Sequence, residues 1–249
     1  MGKKSRRAAT PISEKQKFHS STMRPLYKDQ AWDPLETENR EKRYLRKVRP
    51  QSDNQRELME AIDKYNLCVA IGPAGTGKTY LAVAKAVEAL EAGDVGRILL
   101  SRPAVEAGEN LGFLPGDLDE KLAPYLRPLY DALGDRLGLN KLKKYLQDGT
   151  IEIAPVAYMR GRTLNNSFIV VDEAQNCTYG QLKMLLTRLG WNSTMVLTGD
   201  PDQSDLLNGL SGFGDIASRL SQLDDVRVVS LEEQDIVRHP LVASMLTVI

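Results

Sequence analysis

The sequence Gly72-Pro73-Ala74-Gly75-Thr76-Gly77-Lys78-Thr79 decides the fold of this chain. It stands between an apolar run, 67–71, and a helical pattern that begins at Tyr80, which is the strand, loop and helix order of a phosphate-binding loop. Small residues let backbone N–H groups curl around phosphates, and the next helix N-terminus adds partial positive charge. All eight residues and Tyr80 are therefore candidate nucleotide-binding positions. A glycine-rich turn without a ligand is the alternative, but it needs neither the lysine nor the adjacent hydroxyl.

An acidic pair supplies the second half of the predicted site. Asp172 and Glu173 follow the apolar run 167–171, and ligands of parallel α/β sheets bind outside the carboxyl ends of the strands. We expect Lys78 to contact the β- and γ-phosphates, and Thr79 and Asp172 to hold Mg²⁺. Glu173 is then placed to polarise the water that attacks the γ-phosphate. An acidic pair by itself is also common at turns and helix caps.

A third apolar run, 194–199, ends near a hydroxyl and an amide. Thr198 lies within it, Asp200 follows it, and Gln203 comes three positions later. Such groups can sense the γ-phosphate, because their hydrogen bonds to it vanish after cleavage. The sequence predicts this sensor with Gln203 as a catalytic residue, although a Gly-Asp-Pro turn also explains the pattern.

Length and composition indicate one domain with an extra arm. The chain has 249 residues, of which 42% are hydrophobic, enough for a substantial core. No run of about 18 apolar residues is present, and the basic start leads into polar sequence rather than a signal core, so we expect a cytoplasmic protein without membrane contact. The two cysteines, Cys68 and Cys177, support neither a disulfide framework nor a zinc site.

The net charge of zero hides an asymmetry between the arm and the core. Residues 1–50 carry 14 lysines and arginines against 6 acidic residues, whereas residues 51–249 carry 19 against 27. We predict that 1–50 is a basic, partly flexible arm and that 51–249 is the nucleotide-binding domain. The arm can attract nucleic acid, dock on the acidic core of a neighbouring subunit, or remain a solvated tail.

Strand and helix patterns alternate from residue 52 onwards, which predicts an α/β fold with a mostly parallel sheet covered by helices on both faces. Strands are predicted at 67–71, 97–101, 150–154, 167–172, 194–199 and 226–230, and helices at 52–65, 78–91, within 117–134, 140–147, 178–189, 211–221 and near 239–247.

Five segments in this order resemble the PhoH family of P-loop ATPases, which is similar to the first motor domain of superfamily 1 helicases. The resemblance runs from about residue 50 to residue 249 and leaves the arm uncovered. The segments are Gly72 to Thr79, Ser101-Arg102-Pro103-Ala104-Val105-Glu106-Ala107-Gly108-Glu109, Leu111-Gly112-Phe113-Leu114-Pro115-Gly116, Asp172-Glu173-Ala174-Gln175-Asn176 and Thr198-Gly199-Asp200-Pro201-Asp202-Gln203.

The resemblance implies a three-layer RecA-like domain that uses ATP and Mg²⁺ and works as a homo-oligomeric ring, with a hexamer as the expected size. Members of the family are associated with RNA metabolism, and some carry a PIN nuclease domain. Fewer residues than a nuclease domain precede residue 50, so we do not extend nuclease activity to this chain.

The resemblance also implies roles for residues outside the two motifs. Gln55 matches a glutamine that reads adenine, since an amide can pair with both N6 and N7; a helix-surface glutamine is the alternative. Arg102 occupies the place where related motors touch the nucleic-acid backbone, although a structural ion pair is also open. Arg238 is the candidate for a finger that reaches the γ-phosphate of an adjacent subunit. Arg160 and Arg162 compete with it for that role or for nucleic acid.

These observations lead to two hypotheses. The first is an Mg²⁺-dependent ATPase, with possible RNA helicase activity, that couples hydrolysis to RNA or single-stranded nucleic-acid remodelling, unwinding or translocation. The second is an assembly module in which ATP holds a ring together, hydrolysis is slow and no nucleic acid is bound. A nucleotide kinase is disfavoured, because Glu173 would occupy the place of the acceptor.

Overall fold

The computed structural model describes residues 48–103, 118–207, 209–237 and 245, and for residues 118–124 it describes the backbone alone. The predicted arm up to residue 47 and the helix predicted near 239–247 lie outside these residues, apart from residue 245. The helices and strands are α1 (Asp53–Lys64), β1 (Leu67–Ile71), α2 (Lys78–Ala92), β2 (Arg97–Arg102), α3 (Leu118–Leu137), α4 (Leu139–Gln147), β3 (Ile151–Pro155), β4 (Ser167–Val171), α5 (Tyr179–Leu186), β5 (Thr194–Gly199), α6 (Phe213–Leu220) and β6 (Val226–Ser230).

The six strands form one sheet in the order β3-β2-β4-β5-β1-β6, and every pairing is parallel. Strand β5 therefore lies between β1, which leads into the phosphate loop, and β4, which leads into the acidic pair. Parallel strands all end at the same edge of the sheet, so the predicted site residues gather there. The mostly parallel sheet expected from the sequence is confirmed.

Two apolar cores cover the two faces of the sheet. In β4, Phe168 and Val170 face the core formed with helices α1 to α4, while Ile169 and Val171 face the core formed with α5 and α6. All five residues of β4 are buried, which explains why its sequence is apolar from Phe168 to Val171. The result is the three-layer α/β architecture of a RecA-like P-loop domain, as the sequence predicted.

Side-chain caps fix where two of the helices begin. The N–H of Gln55 donates to Ser52 Oγ at 3.2 Å, and Thr178 forms a reciprocal capping box with Gln181, so first-turn N–H groups are satisfied. Helix α5 ends at Leu186 rather than at the predicted residue 189. After Leu186 the N–H groups of Arg188 and Leu189 donate three residues back, to Leu185 O at 2.9 Å and to Leu186 O at 3.3 Å, and not four residues back as in an α-helix.

Both cysteine thiols are free and buried. Burial raises the pKa of Cys68 to about 12, with a smaller contribution from Asp63, and burial also raises the pKa of Cys177 to about 12. They are therefore protonated apolar groups of the core, as expected without a disulfide. Within the described ranges, no helix combines the length and the apolar character needed to cross a membrane.

The chain that follows β6 folds back along the phosphate loop. The N–H of Leu231 donates to Ile71 O at 2.7 Å, and the N–H of Val237 donates to Gly75 O at 3.0 Å. Asp235 fastens this closing segment, 231–237, because its buried carboxylate accepts from Asn54 Nδ2 at 2.8 Å and from the N–H of Glu232 at 2.7 Å. Burial alone opposes ionisation, but hydrogen bonds from Glu232, Ser52 and Asn54 outweigh it and lower the pKa of Asp235.

We predict that Asp235→Ala lowers the free energy of unfolding by about 1 to 3 kcal/mol near neutral pH, because it leaves two donors unsatisfied. The pKa of Asp235 in the folded state lies below its ordinary value. Its stabilisation is therefore complete above about pH 4 and is lost as the pH falls through the folded-state pKa. Urea unfolding near pH 7 and near pH 3 measures both effects. The control is Glu233→Ala at an exposed neighbour; equal losses in the two variants near pH 7 would contradict the role of Asp235.

Candidate nucleotide-binding site

A cleft of about 490 Å³ opens at the carboxyl edge of the sheet, within the size range of small-molecule sites. It brings together most of the residues that the sequence predicted. Gly72, Pro73 and Thr76 belong to the same loop without lining the cleft, and the Thr76 hydroxyl donates to Pro73 O at 2.9 Å. The predicted residues that line it are Gln55, Ala74, Gly75, Gly77, Lys78, Thr79, Tyr80, Asp172, Glu173 and Gln203.

The conformation of the loop suits an anion. Gly75 and Gly77 both have a φ of 85°, a left-handed conformation that glycine adopts without strain. Helix α2 begins immediately after Gly77, and no side chain caps it. Its first N–H groups and its dipole are therefore available to an anion in the cleft, without a competing side chain among the residues that the structure describes. A Cβ at Gly72 would collide with the carbonyl group of Leu231, so that glycine is needed for the closing segment to pass.

The Lys78 ammonium donates hydrogen bonds to the loop that precedes it. Its Nζ donates to Gly72 O at 2.5 Å and to Pro73 O at 2.8 Å. Burial lowers the pKa of Lys78, against the attraction of the negative charges at Asp200, Glu173 and Asp172. A phosphate would offer this ammonium a charged acceptor in place of two neutral carbonyls.

Asp172 and two threonine hydroxyls meet at one point. Asp172 Oδ1 accepts from Thr79 Oγ1 at 2.5 Å and from Thr198 Oγ1 at 2.9 Å. Because the Thr79 hydroxyl uses its proton on the aspartate, its lone pairs remain free for a cation. This set of oxygens fits Mg²⁺, which takes one or two protein ligands together with phosphate and water. Across the described parts of the chain, no group of three or more acidic, histidine or cysteine side chains is placed to hold a metal alone.

Glu173 stands in an uncommon conformation between two donors. Its φ is 52°, in the left-handed region that non-glycine residues rarely occupy. Arg102 Nη2 donates to Glu173 Oε1 at 3.1 Å, and Gln175 Nε2 donates to Oε2 at 2.5 Å. Arg102 also donates to Tyr125 O at 3.1 Å and lies 3.8 Å from Asp172 Oδ2. The ion pair that the sequence left open for Arg102 is thus present, and its contact with nucleic acid stays a prediction.

The Gln55 amide is engaged within the protein. Its Nε2 donates to Thr76 O at 3.0 Å and, more weakly, to Asp235 O at 3.4 Å, and its Oε1 accepts from the N–H of Gln51 at 2.8 Å. It therefore joins α1 to the phosphate loop and to the closing segment. Gln55 lines the cleft, but reading adenine would require it to exchange some of these bonds, and that role stays a prediction.

The end of β5 combines a strand and a turn. Thr198 is buried and directs its hydroxyl at Asp172. The N–H groups of Asp202 and Gln203 both donate to Asp200, each at 3.1 Å, so the turn suggested by the sequence exists as well. Gln203 is exposed and lines the cleft, where its amide is available to a ligand. Its role as a sensor stays a prediction.

The three candidate arginine fingers differ in their surroundings. Arg162 makes a two-pronged ion pair with Glu152, at 2.6 and 2.7 Å, which lowers the pKa of Glu152. Arg160 is exposed and forms no ion pair with any residue that the structure describes. Arg238 lies outside the described residues, directly after Val237. Arg160 is consequently freer than Arg162 to contact a partner.

Several residues of the cleft were not predicted from the sequence. Val48 and Arg49 reach it from before α1, and Val237 reaches it from the closing segment; their positions depend on long-range packing that no local pattern reveals. Gln175 could have been found, because it stands two residues after the acidic pair, and an amide buried at that place needs partners inside the site. The domain boundary at residue 50 stays a prediction, although Val48 already packs against the core.

Comparison with known proteins places the chain in a family. The family model described as PhoH-like protein matches residues 47–249. The PhoH-like protein of Bacillus subtilis (strain 168) is 54% identical over 200 residues, covering 80% of this chain and 63% of that protein. The PhoH-like protein of Mycobacterium tuberculosis (H37Rv) is 55% identical over 199 residues, covering 80% and 56%, and protein PhoH of Escherichia coli (K12) is 45% identical over 205 residues, covering 81% and 58%. The chain thus spans little more than half the length of these curated relatives.

Solved structures show weaker similarity. The SWI2/SNF2 ATPase core of Sulfolobus solfataricus in complex with double-stranded DNA aligns with a TM-score of 0.46 and 14% identity, covering 87% of this chain and 53% of that one. The Pif1 helicase of Candida albicans aligns with a TM-score of 0.38 and 13% identity, covering 75% and 40%. Because the family model matches most of its length, this chain belongs to the PhoH-like family.

Proposed function

We propose that this chain hydrolyses ATP with Mg²⁺, by direct attack of water on the γ-phosphate. The observation that carries the proposal is the hydrogen bond between Thr79 Oγ1 and Asp172 Oδ1. It joins the phosphate loop to the acidic strand end, and Glu173 follows immediately. A positively polarised anion cradle, a cation ligand pair and a general base thereby share one cleft.

Different residues of the cleft have different roles in the proposed hydrolysis. Lys78 and the first N–H groups of α2 stabilise negative charge on the β- and γ-phosphates. Thr79 and Asp172 would hold Mg²⁺, and the bound ion would supply positive charge against the charge that develops on the phosphate oxygens. Glu173 accepts a proton from the attacking water. The oxygen of that water bonds to the γ-phosphorus, and the bond between the γ-phosphorus and the bridging oxygen of the β-phosphate breaks. ADP and phosphate leave, and the proton passes from Glu173 to solvent or phosphate.

We further propose that Gln55 selects adenine and that Tyr80 contributes to the nucleoside end of the cleft. Both line it. An amide that donates and accepts can match the donor and acceptor edge of adenine. Gln203 would contact the γ-phosphate and change partners after cleavage.

The coupled work that we propose is remodelling, unwinding or translocation on RNA or another single-stranded nucleic acid, by a homohexameric ring. The basic composition of residues 1–50 supports attraction to a polyanion. Arg102 is the last residue of β2 and Arg160 follows β3, so both lie towards the same edge of the sheet as the cleft. Arg238 would reach the γ-phosphate of the adjacent subunit and couple hydrolysis to assembly.

We predict that Lys78→Ala and Glu173→Gln each reduce ATP turnover by at least about 100-fold, because each removes a group that acts in the transition state. Glu173→Gln retains nucleotide binding, since it is isosteric and leaves the phosphate loop intact, whereas Lys78→Ala weakens it. Phosphate release and binding of a fluorescent ATP analogue measure the two effects. The controls are Lys143→Ala and Glu60→Gln, which are exposed. Near-normal turnover in either site variant refutes the assignment.

The mass of the protein with ATP tests the ring, and its ATP turnover with nucleic acid tests the proposed substrate. With ATP bound we expect a hexameric mass, and single-stranded RNA should raise turnover and bind less tightly as salt increases. Arg238→Ala should bind ATP without turnover and regain activity when mixed with Lys78→Ala subunits. If neither single-stranded RNA nor DNA binds or changes turnover at low salt, the motor proposal fails and the assembly-module hypothesis stands. Unchanged turnover in Arg238→Ala excludes the finger.

A further inference from the structure

The side-chain amide of Gln175 is fully engaged in hydrogen bonds within the site. It is buried, with 2% of its surface exposed. Its Nε2 donates to Glu173 Oε2 at 2.5 Å and also lies 3.4 Å from Gln203 O, while its Oε1 accepts from the N–H of Asp200 at 3.1 Å. One side chain thus connects the carboxylate of Glu173 with the backbone that follows β5.

Gly199, at the end of β5, leaves space for the Gln175 amide. A Cβ added at Gly199 would lie 2.7 Å from Gln175 Oε1 and 2.8 Å from the Phe213 ring. Only glycine at the end of β5 therefore lets the amide lie against the strand. The contact between Gln175 and β5 is a packed one, in which a shift of either partner displaces the other.

The Glu173 carboxylate is consequently hydrogen-bonded from the sides of both strands that neighbour β4, namely β2 and β5. Arg102, the last residue of β2, holds Oε1, and Gln175, which leans on the end of β5, holds Oε2. Two donors at different oxygens fix the plane of the carboxylate, although the side chain is 37% exposed and would otherwise rotate freely. A general base must be aligned to within a fraction of an ångström to act on its water.

We infer that Gln175 is a positioning residue, which aligns the Glu173 carboxylate and couples its orientation to the end of β5. This inference rests on the proposed hydrolysis. Asp200 and Gln203 line the cleft, so a ligand that moves the turn after β5 also moves the partners of Gln175. The amide then carries that movement to the base.

The backbone of Gln175 is held independently of its amide. Its carbonyl accepts from Ser204 Oγ at 3.0 Å and from Ser211 Oγ at 2.7 Å. A substitution that changes only the side-chain head group therefore leaves these two anchors in place. This separates a positioning role from a role in holding the segment together.

Asn176 provides a matched control. It is also a buried amide, 7% exposed, and it also faces a carboxylate, since its Nδ2 donates to Asp205 Oδ2 at 2.8 Å. Its Oδ1 accepts from the N–H of Asp205 at 2.8 Å. Asn176→Asp thus makes the same chemical change one residue away, next to a carboxylate other than Glu173.

Gln175→Glu replaces the donor with a carboxyl group facing Glu173, and Gln175→Met removes the donor at similar volume. We expect each to lower kcat for ATP by about 10- to 100-fold, in the range of a mispositioned catalytic group, while KM changes less than about twofold. Asn176→Asp should keep kcat within about twofold of the wild type. If Gln175→Glu destabilises the fold, Gln175→Met carries the test.

A second readout does not depend on turnover. The double variant Glu173→Gln with Gln175→Glu exchanges acid and amide and restores a donor-acceptor pair, so its melting temperature should exceed that of Gln175→Glu alone. The inference is overturned if both Gln175 variants keep the wild-type kcat, or if they and Asn176→Asp lower kcat equally. If Glu173→Gln itself keeps normal turnover, the proposed function has failed instead.

Discussion

The parallel direction of all six strands is the constraint on which the site depends. Because β1, β5, β4 and β2 are neighbours in the sheet and end at one edge, the residues that follow them are brought within hydrogen-bond distance. Lys78 and Thr79 follow β1 through the loop, Asp172 follows β4, and Thr198 lies at the end of β5. The bonds from both threonine hydroxyls to one oxygen of Asp172 are the direct product of this register. An antiparallel β4 would carry the acidic pair to the opposite edge.

Charges in the cleft are balanced within the protein. Lys78 rests on carbonyl oxygens of its own loop, and Arg102 rests on Glu173. A phosphate can replace the neutral carbonyl partners of Lys78 with a charged acceptor, while the pair between Arg102 and Glu173 keeps the carboxylate in place. Binding of a triphosphate at Lys78 is therefore an exchange of hydrogen-bond partners at an ammonium that the loop already holds beside the cleft.

The sequence predicted the parts of the site that follow from local pattern. The glycine loop, the acidic pair after a continuously apolar strand and the alternation of elements all have short-range signatures, and the structure places the loop and the acidic pair together. Other features depend on tertiary contacts. The Gln55 amide fastens α1 to the loop, and Arg102 pairs with Glu173, because segments distant in sequence meet only after the sheet forms. The position of the closing segment, 231–237, likewise depends on contacts between residues distant in sequence.

The central claim is that a magnesium-bound triphosphate lies between the Lys78 ammonium and the acids Asp172 and Glu173. The most direct measurement is a crystal structure of the chain with Mg²⁺ and a non-hydrolysable ATP analogue. We expect Lys78 Nζ to leave the carbonyls of Gly72 and Pro73 and to lie about 3 Å from a β- or γ-phosphate oxygen. We also expect Thr79 Oγ1 to coordinate the metal at about 2.1 Å. An analogue bound elsewhere, or a metal remote from Thr79 with Lys78 still on its loop, would contradict the account.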